Sequence, residues 1–454
     1  MFDLGTASVL IGAMLVLVML GVHIAIALGI TSAIGIYMVT GRVGVVQAML
    51  ASTATEALRD FTFAVIPLFM LMGEFIGKSG AITDVYRSIN RGLRRIPARL
   101  AVATILGNAV FSFVTGVSIA SAAAFSRISF PEMKAFGYHK GFALGAVAGS
   151  SCLGMLIPPS VLMIVWGILT ERSIGQLFLA GVLPGLLMTS LFVIYVVVMA
   201  IARPDLVGEG ARPSPAGAQA SDAVPARLGV DDAPRSPLDV ALSVFGIVTI
   251  VSGVLGGIWL GLFTPTEGAG AGAFIALLLA FAKGMRGRAM VDAIFSVGRT
   301  SAPILLLLLA AALYSRTLAM TGITNAVQDF ILSTGLSAFM VLGCMVIVWF
   351  VLGMVIDSIS IMLLTVPIFE PLAVSLGFDP IAFAIVGILA IEAGLLTPPF
   401  GLLVYTVKVA IADDSVTIPQ IFASSAPYWL MMLIGMSMIA VFPEIATFLP
   451  ALIF

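Results

Sequence analysis

The chain has 454 residues, 60% of them hydrophobic and 10% charged, with a formal net charge of −1 and a mean hydropathy of +1.17. Apolar runs of about twenty residues recur from end to end, which excludes a soluble globular domain, and the absence of strand-like alternation excludes an outer-membrane barrel. What remains is an all-α polytopic membrane protein, whose two cysteines, Cys152 and Cys344, lie in apolar runs and read as small buried residues rather than a disulfide framework.

Taken in order, Met1-Phe2-Asp3-Leu4 carries no basic segment before the first apolar run, so a retained span is expected there rather than a cleaved signal. Spans are predicted at 7–30 and 31–52, broken near Gly29 and at Gly41-Arg42, and at 61–77, which carries Ile66-Pro67-Leu68-Phe69 and Gly73-Glu74. Residues 80–99 alternate apolar residues with Arg87, Arg91, Arg94, Arg95 and Arg99, the pattern of an amphipathic helix on the cytoplasmic membrane surface with a solvated charged face. His23, alone in its apolar run, reads as a packed, hydrogen-bonded histidine.

Residues 100–135 are too long for one span and carry basic residues at both ends. They are predicted to be a re-entrant hairpin turning at Thr115-Gly116. A span over 139–172 is broken by Pro158-Pro159, and another covers 177–200. Residues 203–237 are rich in Pro, Ala and Gly and read as a disordered cytoplasmic linker.

The second half begins with a span at 238–263, where Gly253, Gly257 and Gly261 suggest a flat face for helix packing. Spans at 268–284 and 295–320 follow, then a surface segment at 322–334 with Asp329 and no Lys or Arg. A second hairpin is predicted at 336–376, turning between Gly353 and Ser360. Residues 380–410 form a second span broken by Pro398-Pro399, and 420–452 the last span.

The halves repeat one another. Gly154-Met155-Leu156-Ile157-Pro158-Pro159-Ser160 returns as Gly394-Leu395-Leu396-Thr397-Pro398-Pro399-Phe400, and at the same offset Pro131 meets Pro371 and Gly137 meets Gly377. Ser173-Ile174-Gly175-Gln176-Leu177-Phe178 is echoed by Thr417-Ile418-Pro419-Gln420-Ile421-Phe422. Threading the spans puts Arg87–Arg99, Lys134–Lys140, the linker and Lys283–Arg288 on one side and the second surface segment on the other, so the repeats are expected to be inverted. Arg42 is the exception.

A helix broken at Pro-Pro frees backbone carbonyls inside the bilayer, which is tolerated where they are buried in protein or line a cavity. Such carbonyls suit a weakly hydrated cation such as Na⁺, and a Ser/Thr/Gly-rich hairpin tip beside each break would complete an oxygen cage. Asp357 in the second turn and Glu392 before the second break are intramembrane carboxylates. Each is a functional candidate, unless it pairs with an arginine such as Arg316 or sits at headgroup level. Glu74 and Glu267 stand near span ends, where solvated or capping roles are expected. Enzyme signatures are poor: His23 and His139 are far apart, Gly149-Ser150-Ser151-Cys152-Leu153 misses Gly-x-Ser-x-Gly, and no phosphate-binding loop is present to harness ATP.

These motifs resemble the large membrane subunit of tripartite ATP-independent periplasmic (TRAP) transporters. The likeness rests on Ile66 to Phe69 with Gly73-Glu74, Gly154 to Ser160, Ser173-Ile174 with Leu177-Phe178, Ala180-Gly181 with Pro184-Gly185, Phe263-Thr264-Pro265-Thr266-Glu267, and Leu396 to Pro399 with Gly401. It implies an elevator in which 100–172 and 336–412 form a moving transport domain. The scaffold would then be 1–79, 173–202, 238–321 and 413–454, with arms at 80–99 and 322–335. It implies Na⁺ as coupling ion with no other cofactor or transition metal, and a small organic anion (a carboxylate or sialic-acid-like molecule) as substrate. The implied partners are a small four-helix membrane subunit, a periplasmic binding protein and the lipids of the bacterial inner membrane, with no nucleic acid. By motif, the first sodium site would use Ser112, Thr115, Gly154, Ile157 and Pro159, and the second Gly353, Gly394, Thr397 and Phe400. Gly116, Ser118, Ser160, Asp357 and Ser358 are the candidates for substrate contact or coupling. The first tip reads Thr115-Gly116-Val117-Ser118, a departure from the family's Gly-Ser-Ser pattern. The competing readings are a binding-protein-independent Na⁺/anion carrier of related architecture and an intramembrane enzyme.

Overall fold

A computed structural model describes residues 4–93, 95–208, 237–411 and 413–454. Among these residues the regular structure is helical throughout, and seven helices are long and apolar enough to cross a bilayer. The first half runs α1 (Leu4–Met19), α2 (Ile24–Thr40), α3 (Val43–Arg59), α4 (Val65–Ser79), α5 (Ala81–Gly92), α6 (Arg99–Thr115), α7 (Ser118–Ala135), α8 (Lys140–Ser151), α9 (Val161–Thr170) and α10 (Ile174–Ala202). The second half runs α11 (Pro237–Trp259), α12 (Pro265–Ala282), α13 (Arg288–Thr321), α14 (Ile323–Ser333), α15 (Ala338–Gly353), α16 (Ser358–Ser375), α17 (Pro380–Gly394), α18 (Leu402–Ile411), α19 (Ile418–Val441) and α20 (Glu444–Ile453).

The motif echoes have local causes. Gly80 and Gly322, at φ 76° and 73°, each end one helix in the left-handed region and start the next, so α4–α5 and α13–α14 share one corner. Ser173 caps α10 by accepting from Gln176 N at 3.3 Å, and Thr417 forms a capping box with Gln420 at the start of α19. The Phe-Thr-Pro-Thr-Glu stretch is also a capping box. Thr264 N donates to Glu267 Oε2 at 2.8 Å, Glu267 N donates back to Thr264 Oγ1 at 3.3 Å, and Pro265 occupies the first helical position.

Each hairpin packs around its own broken helix. The pairs α6–α7 and α15–α16 close on themselves and on α8 and α17, while α7 also lies against α18 and α16 against α9. Two ion pairs fasten these cross-contacts: Lys134 of α7 to Asp413 after α18 at 2.7 Å, and Glu370 of α16 to Arg172 after α9 at 2.7 Å. Helices α4 and α12, and α2 and α13, make the largest packing surfaces outside this unit.

Several predicted features are corrected. The first break falls at 20–23, not at Gly29, because Gly21 turns the chain at φ 83°. His23 is exposed rather than packed, and its Nδ1 accepts from Ala25 N at 3.3 Å to cap α2. The 80–99 segment is helical only to Gly92, and it is no free surface helix. Ala81, Asp84, Val85 and Tyr86 are buried as α5 packs on α6 and α11, while Arg91 and Arg95 stay exposed. Asp84 pairs with Lys283, and Ser243 Oγ donates to Asp84 Oδ2 at 2.8 Å, so the buried carboxylate is neutralised from the other half of the chain.

The linker begins with order: Pro204–Leu206 form a turn, and Leu206 O accepts from His139 N at 2.9 Å; its stretch 209–236 lies outside the described residues. Gly253 and Gly261 face no neighbour within 4 Å, and the nearest neighbour of Gly257 is Phe263 of the following turn, so the three glycines do not form one helix-packing row here. The final span is two helices, because Phe442 precedes Pro443 and leaves the helical region at ψ 77°. Cys152 is buried as expected, but Cys344 is exposed.

Candidate functional site

At the first break α8 tightens into a 3₁₀ turn over Cys152–Met155 and restarts only at Val161. Pro158 and Pro159 have no N–H, so Gly154 O and Met155 O lose their helical donors. Ser160 Oγ turns back to donate to Met155 O and also caps α9. The hairpin tip is stapled to this break: Val161 N donates to Gly116 O at 3.2 Å. Gly116 sits at φ 61°, and a Cβ there would lie 2.3 Å from Pro159 O, so only glycine lets the tip come this close. Gly154 is held as tightly, since an added Cβ would lie 2.7 Å from Ser118 Cα and 3.0 Å from Ser121 Oγ. Gly116, Ser118, Gly154, Pro159 and Ser160 therefore meet. Ser112 and Thr115 are buried on the same helix end, but their hydroxyls donate to Asn108 O and Phe111 O of their own helix. Ile157 packs away from the tip, against Gly185 of α10.

The second break repeats the plan with other atoms. Phe400 N donates to Met354 O at 3.1 Å, stapling break to tip. Gly353 and Gly394 touch backbone to backbone, a Cβ on Gly353 falling 2.7 Å from Gly394 Cα. Gly394 O, which lost its donor to Pro398, accepts from Thr397 N at 3.0 Å and from Thr397 Oγ1 at 2.6 Å. Thr397 is buried, whereas Phe400 is 59% exposed and its side chain carries no oxygen, so Phe400 can supply a ligand only through its backbone. Asp357 caps α16: its Oδ1 accepts from Ser360 N at 3.1 Å and its Oδ2 from Ser360 Oγ. Arg316, a possible partner for it by sequence, pairs instead with Glu56 and donates to Thr53 Oγ1 at 3.2 Å.

Glu392 joins the two hairpin tips. Glu392 is wholly buried, and its carboxylate accepts from Ser118 Oγ of the first hairpin and, at 3.1 Å, from Ser358 Oγ of the second. Among the described residues no Lys, Arg or His pairs with it. Each tip also lines a cavity. That at the first, of about 630 Å³, runs from Thr115 and Val117 past Gly73, Gly77 and Arg127. That at the second, of about 510 Å³, is walled by Gly353 to Asp357, Phe400, Leu402 and Tyr405.

Two broken helices, each stapled to a hairpin tip and joined through a buried acid, form the candidate site, and comparison with known proteins bears on its kind. The family profile described as "Tripartite ATP-independent periplasmic transporter, DctM component" matches residues 11–445. The chain belongs to this family. It is 29% identical over 405 residues to the C4-dicarboxylate TRAP transporter large permease protein DctM of Pseudomonas aeruginosa, covering 88% of this chain and 89% of that one. It is 28% identical over 449 residues to the ectoine TRAP transporter large permease protein TeaC of Halomonas elongata, covering 98% and 99%. The YdaH transporter of Alcanivorax borkumensis superposes with a TM-score of 0.63 at 15% identity, covering 86% of each chain, which is a likeness of fold.

The permease has further polar residues at the first break that sequence reasoning passed over. Asn108 is buried on α6, its Nδ2 donating to Ser150 Oγ at 2.6 Å while Oδ1 has no partner, and Ser121 Oγ beside Gly154 has none either. The signal was present as spacing: Thr104, Asn108, Ser112 and Thr115 recur at helical intervals and are all buried. Buried oxygens left without a partner in this way call for a ligand or an ordered water.

Proposed function

We propose that this large permease subunit carries out Na⁺-coupled uptake of a small organic anion across the bacterial inner membrane. In this reading a periplasmic binding protein delivers the anion, and a small four-helix membrane subunit supports the scaffold. One Na⁺ sits at each break: at the first among oxygens of Ser112, Thr115, Gly154, Ile157 and Pro159, at the second among those of Gly353, Gly394, Thr397 and Phe400. The substrate meets the tips at Gly116, Ser118, Ser160, Asp357 and Ser358. The two halves are inverted repeats, and hairpins and broken helices move together as an elevator.

The observation that carries this reading is the stapling of each Pro-Pro break to a hairpin tip, which concentrates carbonyls freed from the helical ladder and buried hydroxyls at two repeat-related points. The cross-bonded unit supports rigid-body motion, since the tips share Glu392 and the far ends share the Lys134–Asp413 and Arg172–Glu370 pairs. Relatives named for a dicarboxylate and for ectoine leave the substrate to be chosen by experiment.

The test is reconstitution. Proteoliposomes holding the permease and its small subunit, given the binding protein loaded with its own ligand, are expected to accumulate that ligand when an inward Na⁺ gradient is imposed. They should not do so with K⁺ in its place, nor with the permease alone. Robust uptake by the lone chain would favour a carrier that needs no binding protein, and uptake indifferent to Na⁺ would overturn the coupling.

A further inference from the structure

The cavity at the first hairpin tip contains one charge that the account so far leaves unused. Its walls are α4, α6, α7 and α13, with Thr83 of α5. Gly73 closes the inner end against the hairpin, where an added Cβ would lie 2.9 Å from Thr115 Cα, whereas a Cβ at Gly77 would meet nothing within 4 Å. Along α7 the lining is Ala120, Ala123 and Ala124, small residues on one helical face, and then Arg127. Opposite, Glu74 and Lys78 cancel one another in an ion pair of 3.0 Å. Arg127 is exposed and has no acidic partner among the described residues, so the cavity carries one net positive charge. Ser296 and Thr300 of α13 add hydroxyls, and Met70, Phe111 and Ile128 leave much of the remaining wall apolar.

We propose that Arg127 is an anion-docking residue, which receives the anionic group of the substrate when the hairpin tip releases it toward the cytoplasm. This rests on the transport reading above and narrows its substrate to an organic acid that presents one anionic group here. A guanidinium offers a fork of N–H donors matched to a carboxylate or sulfonate, the hydroxyls of α13 suit a polar substituent, and the wall offers no second unpaired cation for a second acidic group. A volume of about 630 Å³ accommodates such a molecule.

The experiment needs no identified substrate. In a Cys344→Ser background, Ala123→Cys places a thiol one helical turn from Arg127 on the cavity face. The full chain with its small subunit, in proteoliposomes, is treated with a methanethiosulfonate bearing a sulfonate and, separately, one bearing a trimethylammonium. Arg127 should favour the anionic reagent, and Arg127→Gln should lower the anionic-to-cationic rate ratio about 5-fold or more, with Arg127→Lys retaining it. A faster cationic reaction in the Gln variant would show that the cavity is still folded and open. An unchanged ratio would overturn the proposal.

In the three-component uptake assay, Arg127→Gln should slow Na⁺-driven uptake of the binding protein's ligand by about 10-fold, as loss of one charge-assisted contact implies. The binding-protein concentration for half-maximal rate should not move. Uptake at the wild-type rate would overturn the docking role while leaving the coupling intact. If wild type showed no Na⁺-driven uptake, the transport reading would fall, and the reagent ratio would still decide whether Arg127 sets the charge of the cavity.

Discussion

Replacing Glu392 tests the join between the two hairpins. Its carboxylate accepts from Ser118 and Ser358, which stand at the first positions of α7 and α16. Neither hydroxyl has a helical carbonyl one turn back to which it can turn instead. Glu392→Leu therefore strands two buried hydroxyls at about 1–3 kcal/mol each, roughly 2–6 kcal/mol in all, partly offset because a buried carboxylate no longer has to be held. Glu392→Gln keeps the shape, accepts from one serine, donates to the other, and removes the charge. Its lost charge assistance, about 1 kcal/mol, is smaller than the cost of burying an unpaired carboxylate, several kcal/mol. The expected order of stability is Gln at or above Glu, with Leu lowest, read as thermal unfolding of the permease with its small subunit in nanodiscs. A Gln variant as unstable as the Leu variant would refute the reasoning, because the charge itself would then be held by a cation the serines do not replace.

Thr397→Val removes the hydroxyl that donates to Gly394 O at 2.6 Å, and a loss of roughly 1–3 kcal/mol there should raise the Na⁺ concentration for half-maximal uptake about 5- to 150-fold, with Ile157→Val changing it far less. The Asp413 carboxyl is held well below the usual carboxylate range by hydrogen bonds from Lys134 and Ser415, so its contribution is present above the unfolded value near pH ~4 and is lost only as pH falls through the lower folded value. Melting curves of wild type and Asp413→Asn should accordingly run a constant distance apart from pH ~5 to ~8 and converge only in stronger acid. A gap that closed already near neutrality would contradict the pairing. Cysteines at Ser88 on α5 and Asn325 on α14 should label from opposite membrane faces, and labelling from one face would remove the inverted repeat.

The breaks, the hairpin turns and the corners at Gly80 and Gly322 were legible because their causes are local. Pro158-Pro159 and Pro398-Pro399 forbid helix wherever they occur, Gly116 marks a tip, and Gly80 and Gly322 turn left-handed corners. What stayed hidden depends on partners distant in the chain. Asp84 reads as part of a solvated face until Lys283 and Ser243 cover it, and Glu392 reads as an isolated acid until serines from both hairpins converge on it. His23 misled for the opposite reason: an apolar run suggests burial, yet the residue sits in an exposed turn and caps the next helix. At the site, Thr397 and the glycines stand at repeated landmarks, whereas Asn108 and Ser121 have none, and only helical spacing, for Asn108, and burial single them out.

The central claim is that each Pro-Pro break with its hairpin tip holds one Na⁺. Saturation binding of ²²Na⁺ to the purified permease with its small subunit tests it most directly. The account predicts two ions per chain, one of them weakened in Thr397→Val while the other keeps its affinity. Absence of saturable Na⁺ binding, or two ions bound with wild-type affinity in that variant, would contradict it.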